Sequence, residues 1–204
     1  MDHITMIDGQ LRPAGVSDKA VLSAFKQVPR EAFVPEVFQH VAYAESSIPL
    51  PGRRVLCSPL DCGRLLQGLE IEKTDQVLLV GGESGYLAAL TSHLADEVTV
   101  VDPDEVWVSH LRELLSAVGV DCQCVVGDAM QGWSSSFDRI IVTGAIPDVP
   151  SALHDALKPG GKIFAVVGPG PARQATVFEE GGLRGLYETD MPLLPGVEEN
   201  SFVF

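Results

Sequence analysis

Apolar residues in the first seventy positions recur at helical intervals. Val21, Leu22, Phe25 and Val28 fall on one face after Ser17, an N-cap residue followed by Asp18, and Pro29 ends that helix. A second helix is expected to open at Pro35 and bury Val37, Phe38 and Val41. A third is expected near residues 60–69, with Leu65, Leu66 and Leu69 inward. From residue 75 the rhythm changes. Residues 77–80 are apolar without alternation, which reads as a strand buried on both faces. Residues 98–101, 122–126, 140–143 and 163–167 supply four more strands. Helices are expected over residues 84–94, with Leu87, Leu90 and Leu94 aligned, and over 104–118, with Trp107, Leu111, Leu114, Leu115 and Val118 inward and Gly119 as terminator. Another lies around 150–157, closed by Lys158-Pro159-Gly160-Gly161. Strand–helix–strand alternation at this spacing predicts an α/β, Rossmann-like, doubly wound and mostly parallel sheet. Candidate strands at 174–179, 183–188 and 201–204 are too close together for helical crossovers, so the C-terminal part should be antiparallel. The expected organisation is an N-terminal helical segment on the substrate side, residues 1–70, and a Rossmann-like cofactor-binding domain, residues 71–204, in one compact unit.

Composition narrows the function classes. At 204 residues and 46% hydrophobic the chain is long enough for one domain with an ordinary core. Its formal charge of −14, with no run of Lys or Arg, argues against nucleic acid as partner or substrate. No apolar stretch approaches the roughly 18–20 residues that span a bilayer, so no membrane association is expected. The first residues carry neither a basic nor an apolar leader region, which predicts a cytoplasmic protein. Cys57, Cys62, Cys122 and Cys124 form no CxxC pair, and the five histidines show no ligand spacing, so no metal site is expected.

Ligands of open α/β sheets bind outside the carboxyl ends of the strands. Three features converge there. Gly81-Gly82-Glu83-Ser84-Gly85 forms a glycine-rich turn between the first strand and its helix, able either to admit a ligand close to backbone N–H groups or merely to shape the chain. Asp102, just past the second strand, is placed to accept both hydroxyls of a ribose; its plainer role is a helix N-cap with Pro103 at N1. Gly127-Asp128, after the third strand, meets a base edge or is another capping aspartate. Their joint occurrence favours a nucleoside. The turn lacks G-x-G-x-x-G, and Glu83 is a poor neighbour for a pyrophosphate, so S-adenosylmethionine is favoured over a dinucleotide. Of the tryptophans, Trp107 reads as core and Trp133 as near the adenine region, where core and cofactor contact are both open.

Longer motifs make the resemblance specific. Residues 6–18, MIDGQLRPAGVSD, followed by Val28-Pro29-Arg30-Glu31-Ala32-Phe33-Val34-Pro35, resemble the protein-L-isoaspartate O-methyltransferase family. So do Ala42-Tyr43, Ile48-Pro49-Leu50, Ser84-Gly85-Tyr86, residues 137–143 (FDRIIVT) and Leu157-Lys158-Pro159-Gly160-Gly161. The resemblance covers roughly residues 6–168 and implies methyl transfer from S-adenosylmethionine to the α-carboxylate of isoaspartyl residues in damaged proteins or peptides. It implies that Asp102 holds the ribose, Asp128 and Ala129 the adenine, and Gly81, Gly82, Glu83, Ser84 and Gly85 the methionine end. Cys57 and Ser58 would be the catalytic residues, with Leu56, Thr143, Gly144 and Ala145 lining the acceptor site.

Three positions depart from the family pattern. The family turn E-x-G-x-G-S-G-Y has Leu79 in its acidic place and Glu83 in place of its second glycine. Glu83 either replaces the lost acid or opposes the cofactor's carboxylate. The family motif T-I-S-x-P aligns with Val55-Leu56-Cys57-Ser58-Pro59, so a thiol stands for its serine. These changes motivate an alternative, a non-catalytic or altered-acceptor descendant with impaired cofactor binding.

Overall fold

The computed structural model describes residues 2–168 and 173–197. Helix α1 (His3–Met6) is capped by Asp2 and runs into a π-helical turn, Ile7–Leu11, which the hydrophobic pattern did not predict. Met6, Ile7 and Leu11 are fully buried there. Helix α2 (Lys19–Gln27) starts one residue later than expected: Asp18, not Ser17, is its cap, accepting from the Ala20 and Val21 N–H groups at 2.8 and 2.9 Å. Val21, Leu22 and Phe25 are inward, as the spacing required.

The expected second helix is a correction. After Pro35 the chain forms a 3₁₀ helix, Glu36–Val41, that buries none of its residues, and Val37 is 69% exposed. With three residues per turn, Val37 lies on a different face from Phe38 and Val41, so the three do not make one apolar stripe. Strands β1 (Ile48–Pro49) and β2 (Val55–Leu56) form a short antiparallel ribbon. It leads into helix α3 (Pro59–Leu69), capped by the Ser58 hydroxyl, which accepts from the Asp61 N–H at 3.1 Å.

The main sheet contains β3 (Gln76–Val80), β4 (Glu97–Asp102), β5 (Gln123–Val126), β6 (Phe137–Ile146), β7 (Leu157–Val167), β8 (Arg173–Glu179) and β9 (Gly182–Thr189). Their spatial order is β5-β4-β3-β6-β7-β8-β9; the first five are parallel, and β8 and β9 are antiparallel additions. Helices α4 (Tyr86–Ser92), α5 (Glu105–Ala117) and α6 (Ser151–Asp155) connect the parallel strands. On α5, Val108, Leu111 and Leu115 face the core, while Trp107 and Leu114, and Val118 just past its end, are only partly buried. The chain order reverses between β3 and β6, which puts the ligand crevice of a doubly wound sheet at their carboxyl ends.

Strand β7 begins earlier than expected. Lys158-Pro159-Gly160-Gly161 does not close α6, which ends at Asp155, but forms a bulge inside β7, where pairing jumps from Phe137↔Leu157 to Arg139↔Lys162. The expected strand at 201–204 lies outside the described residues. A second irregularity shapes the crevice. Ile141 pairs with Phe164 and Ala145 with Val166, so β6 carries two extra residues where it reaches Thr143 and Gly144. Into that gap comes the segment after β9. Ala145 donates its N–H to Pro192 O at 2.8 Å and accepts from the Leu194 N–H at 2.9 Å, so residues 191–197 cross the end of the sheet as a strap.

Candidate active site

The turn after β3 is shaped by its own side chains. Gly81 and Gly85 both have φ of +81°, which favours glycine. Gly81 also has Leu194 and Thr143 within 2.5 and 2.8 Å of where a Cβ would stand. Thr143 fastens the turn to β6, its hydroxyl facing the carbonyls of Gly81 at 2.6 Å and Val80 at 3.1 Å. Glu83 is 5% exposed, with one carboxylate oxygen accepting from the Ser84 hydroxyl at 2.5 Å and the other from the Leu87 N–H at 2.8 Å. Both oxygens are therefore engaged within the turn and the first turn of α4. Burial raises the Glu83 pKa, against those hydrogen bonds and the Arg30 charge, which pull it down. Leu79, at the family's acidic position, pairs with Val100 and Ile141 inside the core.

Asp102 ends β4 and is 1% exposed. It is not the N-cap of α5; Asp104 is, accepting from the Val106 and Trp107 N–H groups. Asp102 instead collects three donors, the Gly82 N–H at 3.0 Å, the Asp104 N–H at 2.9 Å and Arg54 Nη2 at 2.7 Å. On one side of it lies a cavity of about 190 Å³ bounded by Gly81, Val101, Gly127, Asp128, Ala129 and Leu194. Asp128 faces this cavity and also caps the following 3₁₀ turn, accepting from the Met130 N–H at 3.0 Å. On the other side, between Arg54, Gly81, Glu83, Thr143 and Gly144, only about 10 Å³ remains, room for about one water.

The remaining sequence-predicted residues lie beyond Arg54. Leu56 is fully buried in β2, and Cys57 and Ser58 follow it at 4 and 7% exposure. Burial pushes the Cys57 thiol well above its ordinary range, so it stays protonated at neutral pH. The Cys57 carbonyl accepts from Arg30 Nη2 at 2.6 Å, and the Ala42 carbonyl from Arg30 Nε at 2.8 Å. Arg30 is itself fully buried over the Tyr86 ring, so it ties this segment to the start of α4. Trp133 packs against Phe137 and beside Gly127 and does not line the 190 Å³ cavity.

The residues on the adenosine side fit a nucleoside, with a buried carboxylate, a cavity for a base and backbone held close by glycines. The compartment on the Arg54 side, closed also by Pro192, Leu193 and Pro195, has no room for the rest of such a cofactor as it stands.

Comparison with known proteins decides the family. The family model described as Protein-L-isoaspartate(D-aspartate) O-methyltransferase (PCMT) matches residues 2–183. The chain belongs to the protein-L-isoaspartate O-methyltransferase family. It is 37% identical over 167 residues to a protein-L-isoaspartate O-methyltransferase of Methanoculleus marisnigri, covering 80% of this chain and 76% of that one. A relative from Petrotoga mobilis carrying the same name is 31% identical over 201 residues, covering 95% and 94%. The fold matches a Plasmodium falciparum protein-L-isoaspartate O-methyltransferase structure in complex with S-adenosyl-L-homocysteine. That match has a TM-score of 0.82, 16% identity, and covers 95% of this chain and 98% of that one.

The family is one of S-adenosylmethionine-dependent methyltransferases. Among the described residues no helix is long and apolar enough to cross a membrane, and no group of three or more His, Cys, Asp or Glu could hold a metal ion. Sequence reasoning missed Arg54, the role of Trp107 beside it, and the strap at 191–197. Trp107 does pack against the core, half-buried, and its ring also lies 4.7 Å from the Arg54 guanidinium. The available signal was the pair Arg53-Arg54 directly before the substrate motif in so acidic a chain.

Proposed function

We propose that this chain transfers a methyl group from S-adenosylmethionine to the α-carboxylate of isoaspartyl residues in proteins and peptides. The observation that carries the reading is Asp102, a buried carboxylate at the end of β4 between the glycine turn and a base-sized cavity, in a chain of this family. In this reading Asp102 holds the ribose, and Asp128, Ala129 and Gly127 surround the base. The turn at Gly81, Gly82, Glu83, Ser84 and Gly85 takes the methionine end. Thr143, Gly144 and Ala145 form the floor of the acceptor site, with Leu56, Cys57 and Ser58 at its edge.

The cofactor supplies an electrophilic methyl on a sulfonium. The acceptor carboxylate, with a pKa near 4, is already ionised at neutral pH, so the chain needs no general base. What its residues contribute is alignment and exclusion of water. Cys57, held as a neutral thiol, packs and donates weakly rather than acting as a nucleophile. The work is then cytoplasmic repair of damaged proteins.

The test is methyl transfer from labelled cofactor to a peptide with one isoaspartyl residue and to its aspartyl twin. Label on the isoaspartyl peptide alone, released as methanol when the ester closes to a succinimide, is the expected result. Transfer to small carboxylic acids instead identifies a changed acceptor. No transfer, with the protein folded, leaves a family member that has lost turnover.

A further inference from the structure

Arg54 is built into this site more firmly than a surface cation would be. Its guanidinium carbon stands 4.7 Å from the centre of the Trp107 ring, and the Trp107 indole N–H in turn donates to the Gly82 carbonyl. Nη2 is 2.7 Å from Asp102 and Nη1 is 3.7 Å from Asp104. Gly52, at φ +72°, leaves the space Nη1 needs, since a Cβ there would come within 2.6 Å of it. Nε is buried and has no hydrogen-bond partner among the described residues. The guanidinium thus occupies a made-to-measure slot, holds the carboxylate that a ribose needs, and keeps one buried N–H in reserve.

We propose that Arg54 exchanges partners during the catalytic cycle. It holds Asp102 until the cofactor's ribose takes that carboxylate, and the released guanidinium then receives the α-carboxylate of the isoaspartyl acceptor, so the cofactor binds before the acceptor. The inference rests on the isoaspartyl methyltransferase reading and adds to it an order of binding and an acceptor-binding residue. Guanidinium is suited to the task, because Nε–H and Nη2–H together make a planar fork that matches a carboxylate. Each carboxylate oxygen held by the fork keeps a second lone pair, and one of these is free to attack the methyl. Arg54 is a more specific choice than the neighbouring Arg53, which neither pairs with Asp102 nor stacks on Trp107.

The test is calorimetric titration of the folded wild type, Arg54→Gln and Asp102→Asn with S-adenosylhomocysteine and with an isoaspartyl peptide, each alone and with the other present. In Arg54→Gln the ribose no longer competes with a cation for Asp102. S-adenosylhomocysteine should bind at least tenfold tighter, while the KM for the isoaspartyl peptide should rise at least tenfold. Wild type should bind the peptide measurably only when S-adenosylhomocysteine is present. In Asp102→Asn, where the guanidinium is already released, the peptide should bind without it. Unchanged or weaker S-adenosylhomocysteine binding in Arg54→Gln with an unchanged peptide KM overturns the proposal, leaving Arg54 a structural staple and the methyltransferase reading intact. Peptide binding to wild type that ignores S-adenosylhomocysteine overturns the binding order. A wild type that binds S-adenosylhomocysteine but takes no isoaspartyl peptide in any assay overturns the acceptor assignment itself, and the role of Arg54 with it.

Discussion

Glu83 carries its charge where burial disfavours it, and its hydrogen bonds within the turn do not fully compensate. A pKa raised in the folded state means that the native chain binds this proton more tightly than the unfolded chain does. The protonated form therefore contributes stability below the ordinary value near 4.5, and that contribution is lost as the pH rises through the higher folded value. Glu83→Gln keeps an acceptor for the Leu87 N–H but cannot ionise. Urea denaturation from pH 4.5 upward should show wild type losing this increment and the variant not; parallel pH profiles would refute the assignment. Cys57 and Cys62 are buried thiols with raised pKa values. Brief treatment of native protein with iodoacetamide at pH 8 should leave both unmodified, and should modify them only in denaturant. At this scale the acids were legible, because an Asp just past a parallel strand has few places to point. Arg54 was not. Its partners Asp102 and Trp107 are about fifty residues away along the chain, and only the folded sheet brings them together.

The strands were the most readable elements; β3, β4 and β6 are buried on both faces and have no alternation to misread, and even the half-exposed edge strand β5 occurs where its apolar run lies. Boundaries failed where local chemistry outweighed the pattern. Three residues per turn scattered the apolar residues after Pro35, and Lys158-Pro159-Gly160-Gly161 turned out to be a bulge rather than a helix stop. The strap at 191–197 was invisible because it has no periodicity and is held by two backbone bonds to Ala145. Gly144 makes the close approach possible, with backbone atoms of Leu194 at 2.5 and 2.7 Å from where its Cβ would be. Gly144→Ala should push the strap off the sheet, costing about 1–3 kcal/mol in denaturant unfolding. Protease cleavage within 191–197 should accelerate in the same variant. Unaltered stability and cleavage would show that the strap is not seated there.

Over the whole molecule the charge is strongly acidic, −14, while the residue proposed to meet the acceptor is a cation in a nearly closed pocket. Long-range attraction and local recognition are thus of opposite sign. Isoaspartyl peptides flanked by Lys should show a higher kcat/KM than those flanked by Glu at low salt, with the gap narrowing as ionic strength rises and the Debye length falls to about 8 Å at 0.15 M. A preference that ignores salt would have to come from direct contacts instead. Architecture and family were legible at this scale, since motifs lie in register along most of the chain.

The strap has one more consequence, for the chain as it is made. Residues 191–197 follow every described strand of the sheet, yet Leu193 and Pro195 wall the compartment beside Arg54 and Leu194 walls the cavity beside Asp128. A ribosome releases the sheet before it releases these residues. A nascent chain can therefore assemble β3 to β9 while the pocket still lacks a side, and the two compartments are completed only when residues 191–197 have followed them out.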